Sequence, residues 1–94
     1  GLANNLARVI PAGRRARLES DSWTPPAIFW LVQQVGRVSQ ADIEATLNMG
    51  VGMVAILPEN GVDAAVALLG SRGIDAWVLG RIEAHDGPGV AELA

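Results

Sequence analysis

An unbroken apolar run at residues 51–57, Val-Gly-Met-Val-Ala-Ile-Leu, limits the choice of fold more than any other segment, and Pro58 ends it. A strand with one face in water alternates between apolar and polar residues, but this run is apolar at every position. We therefore predict a central strand that is covered on both faces. Gly52 lies inside it, where a glycine loses side-chain packing and often marks the close approach of a backbone or a ligand.

Four other segments have the apolar spacing and the end signals of helices. In one of them Thr24 is a candidate N-cap and Pro25 suits the first helical position. In the next, Ser39 with Asp42 three residues later forms a box-like helix start. The predicted helices cover residues 2–9, 25–36, 39–50 and 62–73.

Alternating residues predict two more strands, at residues 16–21 and 76–84. The order is then helix, strand, helix, helix, strand, helix, strand, without a phosphate loop or a dinucleotide-binding fingerprint. This pattern predicts an α+β fold with helices packed on a small mixed sheet. We assign residues 1–85 to one partial domain and residues 86–94 to a flexible C-terminal tail.

Composition narrows the class of protein. The chain has 94 residues, half of them hydrophobic, and a mean hydropathy of +0.28, which indicates one small domain with a core. A domain of this size buries only roughly 60–65% of its unfolded surface, so we expect a partner to cover more of it. The net charge of −3 argues against nucleic-acid binding. No apolar run is long enough for a membrane span and no secretory signal is visible, so we expect a cytoplasmic protein.

The side chains that carry chemistry are few. The absence of cysteine excludes disulfides, thiolate metal sites and a cysteine nucleophile. His85 is the only histidine and lies at the start of the tail, so we do not expect it to act as a base. No metal-spaced carboxylates or catalytic triad can be assembled, which leaves the catalytic residues unknown and predicts no metal site. An arginine cluster could hold a small anion or form a solvated turn: Arg8, Arg14, Arg15 and Arg17.

Four blocks in order resemble the aminoimidazole ribonucleotide synthetase (phosphoribosylformylglycinamidine cyclo-ligase) family. The first runs from Gly1-Leu to Pro11 and is similar to the segment that follows the triple-glycine loop of that family. The second is Ser22-Trp followed by Pro-Ala-Ile-Phe at residues 26–29. Residues 46–53 resemble the Asn-Met-Gly-x-Gly-Met signature, and Asp-Ala-Trp-Val-Leu-Gly at residues 75–80 resembles the closing strand.

The resemblance implies part of an enzyme. In that family ATP phosphorylates the formamide oxygen of formylglycinamidine ribonucleotide, the amidine nitrogen attacks the activated carbon, and phosphate leaves to give aminoimidazole ribonucleotide. The family enzymes are homodimers whose N-terminal domain holds most of the ATP and Mg²⁺ site. Since this chain begins with Gly rather than Met, we expect a C-terminal fragment that binds no cofactor and is inactive alone.

Six residues are candidates for contacts with the substrate. Gly1 at a helix start lets backbone N–H groups approach a phosphate, although an ordinary helix entry also explains it. Arg8 could bind the phosphate or balance nearby carboxylates. Asn48, Gly50 and Gly52 lie where the third predicted helix joins the predicted central strand, and a purely structural turn is the alternative explanation for them. The complete set is Gly1, Asn5, Arg8, Asn48, Gly50 and Gly52.

Two other functions remain open at this stage. A free-standing, non-catalytic α+β module that binds a metabolite or a protein would also fit the composition. A relative from the same superfamily, such as selenophosphate synthetase or thiamine-monophosphate kinase, is the other alternative. The blocks at residues 48–53 and 75–80 favour the cyclo-ligase over these relatives.

Overall fold

A computed structural model describes all 94 residues and contains one three-stranded sheet. Its strands are β1 (Arg14–Leu18), β2 (Gly80–Ala84) and β3 (Val90–Leu93). The central strand, β1, is antiparallel to β2 and parallel to β3. Ala16 illustrates the register, because it is opposite Ile82 on one side and Ala91 on the other. The sheet is therefore mixed, as the sequence predicts.

Four α-helices accompany the sheet, at the four places where helices are predicted. They are α1 (Leu2–Ala7), α2 (Ala27–Gly36), α3 (Gln40–Thr46) and α4 (Val62–Ser71), with short 3-10 turns at Ser20–Ser22 and Glu59–Gly61. The predicted α+β class, with helices packed on a small mixed sheet, is confirmed.

The helix ends follow local chemistry. Ser39 is the N-cap of α3, and its hydroxyl accepts a hydrogen bond from the N–H of Asp42 at 3.1 Å. The start of α2 differs from the prediction, since Pro26 rather than Thr24 is its N-cap. A residue that precedes a proline is disfavoured in the helical region, so Pro25 cannot begin the helix when Pro26 follows it.

The core lies between α1 and the sheet. Its central cluster contains residues of α1, of the turn that follows α1 and of β1, together with Val51 from the segment beyond α3. The six residues are Leu2, Leu6, Ile10, Ala16, Leu18 and Val51. The molecule is a thin slab of 42 × 38 × 18 Å. No residue of α2 or α4 is buried, so the apolar faces of these two helices are largely open.

The predicted central strand at residues 51–57 is wrong for this chain. No strand forms there, and only the N–H of Val51 makes a backbone hydrogen bond, to the carbonyl of Asn48 at 3.1 Å. Val51 is buried but Met53 is 91% exposed. The apolar pattern predicts burial between two layers, whereas a strand also needs neighbouring strands, and this chain supplies none beside the run.

The end of the chain also differs from the prediction. Residues 86–94 are not a loose tail throughout, because β3 is formed by residues 90–93 and pairs with β1. Ala91 and Leu93 pack against the core, which gives this segment a reason to be ordered. The predicted strand at 76–84 is shortened to β2 at its second half, and the predicted strand at 16–21 lies instead at 14–18.

Candidate functional site

The turn after α3, formed by Asn48, Met49 and Gly50 and called here the 48–50 turn, has an unusual backbone. Met49 has φ +55° and Gly50 has φ +96°, both in the left-handed region. The Oδ1 atom of Asn48 accepts a hydrogen bond from the N–H of Gly50 at 2.9 Å, and the carbonyl of Asn48 accepts one from Val51. The turn closes on itself, while the exposed side-chain amide nitrogen of Asn48 has no hydrogen-bond partner in the chain.

Glycine is required at Gly50 for two independent reasons. Its positive φ is costly for any residue with a side chain. In addition, a Cβ atom at this position would lie 2.6 Å from Cδ of Pro26, just before α2. Gly52 is different, since it is exposed and a Cβ atom there would meet nothing within 4 Å. The close backbone approach expected at Gly52 is therefore present at Gly50 instead.

Trp23 contacts the 48–50 turn through a hydrogen bond and is packed against a second tryptophan. The indole N–H of Trp23 donates a hydrogen bond to the carbonyl of Met49 at 2.9 Å. The ring of Trp23 packs against that of Trp77, with centroids 6.3 Å apart and planes tilted by 32°. The indole N–H of Trp77 in turn donates to the hydroxyl of Ser22 at 3.2 Å. These contacts connect the residues before β2, the residues before α2 and the 48–50 turn.

The tryptophan pair and the turn border an open cavity of about 400 Å³. Polar groups and aromatic faces share its wall, which consists of Ser22, Trp23, Thr24, Pro26, Gly50, Asp75 and Trp77. A second depression of about 240 Å³ lies on another side of Trp23 and Met49. The 48–50 turn is therefore next to space that a ligand or another part of a protein can enter.

The start of α1 approaches the same helix that leads into the turn. A side chain at Gly1 would collide with the backbone of Glu44 and Ala45 near the end of α3. The Asn5 side chain donates to the carbonyl of Gly1 at 2.8 Å, so its amide nitrogen is used locally. Arg8 lies at the opposite end of α1, roughly 10 Å along the helix axis, and is exposed. The structure thus brings Gly1 and Asn5 together and leaves Arg8 apart.

The arginine cluster is partly neutralised within the sheet. Arg15 forms an ion pair with Glu83 of β2 at 2.8 Å, and Glu92 of β3 lies 4.0 Å away on its other side. The hydrogen bond from Arg15 lowers the pKa of Glu83 below its ordinary value, and the same bond, followed by the charge of Glu92, raises the pKa of Arg15. Arg17 pairs with Glu19 at 3.2 Å. These two cations are therefore less available to an external anion.

The sequence alone did not predict the role of Trp23 and Trp77 around the turn. Both are only partly buried. A useful signal is present, because a buried indole N–H usually finds an acceptor. The sequence gives no means of choosing Met49 as that acceptor.

The side chains contain no group of three or more His, Asp or Glu residues placed to hold a metal ion. None of the helices is both long enough and apolar enough to traverse a bilayer.

Comparison with known proteins places these residues in a family. The model of the family "AIR synthase related protein, C-terminal domain" matches residues 1–91. A protein of Streptomyces fradiae, named provisionally as a phosphoribosylformylglycinamidine cyclo-ligase, is 54% identical over 82 residues, which are 87% of this chain and 45% of that protein.

Two bacterial proteins named phosphoribosylformylglycinamidine cyclo-ligase extend the comparison. The one from Anaeromyxobacter sp. strain Fw109-5 is 43% identical over 99% of this chain, and the one from Anaeromyxobacter dehalogenans strain 2CP-1 is 46% identical over 97%. The chain spans 27% and 26% of their lengths. On the match across nearly its full length, this chain belongs to the family of AIR synthase related proteins, within their C-terminal domain.

Proposed function

We propose that this chain is part of an ATP-dependent cyclo-ligase that closes the imidazole ring of formylglycinamidine ribonucleotide to give aminoimidazole ribonucleotide. Its family membership supports this, as do the names of relatives that are 43–54% identical to it. The proposal concerns a longer protein, because the chain spans about a quarter of the Anaeromyxobacter relatives. We place this enzyme in the cytoplasm and expect it to act as a homodimer in purine biosynthesis.

The 48–50 turn carries the proposal at the level of residues. The amide nitrogen of Asn48 has no hydrogen-bond partner in the chain, and Gly50, two residues later, lines the open cavity and permits the left-handed backbone of the turn. We assign to Asn48 a hydrogen bond with the nucleotide substrate and to Gly50 the geometry that makes it possible. Gly1, Asn5, Arg8 and Gly52 stay predictions as substrate contacts.

We propose that this chain does not itself form the site for ATP and Mg²⁺. No cluster of metal-binding side chains is present, and the sequence has no phosphate loop. We therefore attribute nucleotide and metal binding mainly to an N-terminal domain of the longer protein. The contribution of this chain is to bind and orient formylglycinamidine ribonucleotide.

A chimeric enzyme tests the proposed function. The 91 aligned residues of the Anaeromyxobacter dehalogenans strain 2CP-1 relative are replaced by this chain, and formation of aminoimidazole ribonucleotide is followed through its aromatic amine. We expect the chimera to turn over formylglycinamidine ribonucleotide with ATP, with the unaltered relative as positive control. A chimera that folds and assembles like the relative but yields no product would refute the proposal. Binding of a metabolite by the isolated chain in that case would support the non-catalytic module.

A further inference from the structure

Met49 has a backbone conformation that its residue type disfavours. A φ of +55° brings the Cβ of a non-glycine residue close to its own backbone carbonyl. Such a conformation persists only where surrounding contacts hold it. The side chain of Met49 is buried, with 5% of its surface exposed, so packing is one such contact.

Among the hydrogen bonds to the turn, the one from Trp23 comes from another part of the chain. The other two bonds, from Gly50 and Val51 to Asn48, are internal to the segment. Trp23 is itself held in place by the ring of Trp77. The Met49 carbonyl is therefore hydrogen-bonded to a side chain 26 residues earlier in the sequence.

The same geometry determines which atom of Asn48 is free. The N–H of Gly50 is a donor and requires an acceptor, so the side-chain atom 2.9 Å away is the oxygen of the Asn48 amide. The amide nitrogen must then point away from Gly50. It is a donor, and its natural partner is an oxygen acceptor rather than an N–H group.

We infer that Trp23 is a positioning residue, which acts through the Met49 carbonyl to orient the Asn48 amide nitrogen toward an oxygen acceptor of the nucleotide substrate. The acceptor is a carbonyl, hydroxyl or phosphate oxygen. This inference rests on the proposed function for the identity of the ligand. Its structural half, the control of the turn by Trp23, stands on the contacts of this chain alone.

Hydrogen exchange in the chain itself tests that structural half. Trp23→Phe keeps an aromatic ring beside Trp77 and removes the donor, while Trp30→Phe changes an exposed ring of α2 as a matched control. We expect Trp23→Phe to speed amide exchange at Gly50 and Val51 by about tenfold, which corresponds to a tenfold larger equilibrium constant for local opening of the turn. Protection of the amides of β1 reports that the sheet remains folded.

A second variant removes the hydrogen-bond donor and keeps a bicyclic ring. The chain is short enough for chemical synthesis with benzothienylalanine at position 23, in which a sulfur atom replaces the indole N–H. This analogue should speed exchange at Gly50 and Val51 by about the same tenfold factor, and it decides the question alone if Trp23→Phe fails to fold. Exchange rates at Gly50 and Val51 that match those of Trp30→Phe in both variants would overturn the inference.

Kinetics in the chimeric enzyme test the functional half. Asn48→Ala should lower kcat/KM for formylglycinamidine ribonucleotide by about 10- to 100-fold, and Trp23→Phe should lower it by a similar factor. If Trp23 acts through Asn48, the double variant should be within about twofold of Asn48→Ala alone. Multiplicative losses in the double variant would show independent roles and refute the positioning of Asn48.

The two proposals fail in different ways. A folded but inactive wild-type chimera overturns the proposed function and the identity of the ligand, while the exchange measurement still decides whether Trp23 controls the turn. An active chimera with unchanged kinetics in Trp23→Phe overturns the positioning role and leaves the proposed function intact.

Discussion

Replacing Gly50 by alanine should destabilise the fold, whereas the same change at Gly52 should not. At Gly50 the new Cβ atom would lie 2.6 Å from Cδ of Pro26 and 3.3 Å from its Cγ, on a backbone with φ +96°. At Gly52 the new atom would meet nothing within 4 Å, and the backbone is not left-handed. The two sites are separated by one residue, so they form a matched pair.

The magnitudes follow from these contacts. The left-handed backbone costs a residue with a side chain about 1–2 kcal/mol, and the overlap with the Pro26 ring adds about 1–3 kcal/mol. The free energy of unfolding should therefore fall by about 2–5 kcal/mol in Gly50→Ala. Gly52→Ala should change it by less than about 0.5 kcal/mol or raise it slightly, because alanine restricts the unfolded chain.

Urea unfolding followed by tryptophan fluorescence measures both variants, since Trp23 and Trp77 lie beside the turn. Thermal melts should show a midpoint lowered by at least about 8 °C for Gly50→Ala. Equal losses of stability in the two variants, or a loss below about 0.5 kcal/mol for Gly50→Ala, would refute the reasoning. In that event the turn could relax away from Pro26 and hold its shape without a glycine.

Three further outcomes are expected. The purified chain should neither hydrolyse ATP nor form aminoimidazole ribonucleotide, because it has no cluster of metal-binding side chains and no phosphate loop; nucleotide-dependent product in a coupled assay would contradict this. The chain should self-associate in equilibrium sedimentation, because α2 and α4 contain no buried residue, and a clean 9.8 kDa monomer at high micromolar concentration would disprove it. The ion pair of Arg15 with Glu83 should stabilise the fold above pH 4.5, the ordinary pKa of the glutamate, and be lost as the pH falls through the lowered folded-state pKa. Thermal midpoints below pH 4.5 should therefore fall more steeply in the wild type than in Glu83→Gln, and parallel curves would exclude this contribution.

Local signals made the helices predictable. The start of α3 needs only Ser39 and the N–H of Asp42, which are three residues apart, so the sequence contains both partners. Gly50 also follows from local chemistry, since a glycine after a helix suits a left-handed residue. Met49 does not, because nothing in its residue type predicts φ +55°.

Long-range partners made the rest unpredictable. The run at residues 51–57 has the composition of a buried strand, but a strand exists only where another backbone pairs with it. The short segment that forms β3 follows a Gly- and Pro-containing stretch and gains its order from β1. The acceptor for Trp23 is likewise fixed by the three-dimensional fold, 26 residues away along the chain.

The arrangement of the sheet has a consequence for the order of folding. Every neighbour of β1 comes from the last part of the chain, and Arg15 meets Glu83 across 68 residues. Such high contact order slows folding, because a large loop must close before the first ladder bond forms. During synthesis the helices can form early, but the central strand must wait unpaired until β2 and β3 leave the ribosome. Deleting only the residues of β3 should therefore leave β1 paired with β2 and with one bare edge.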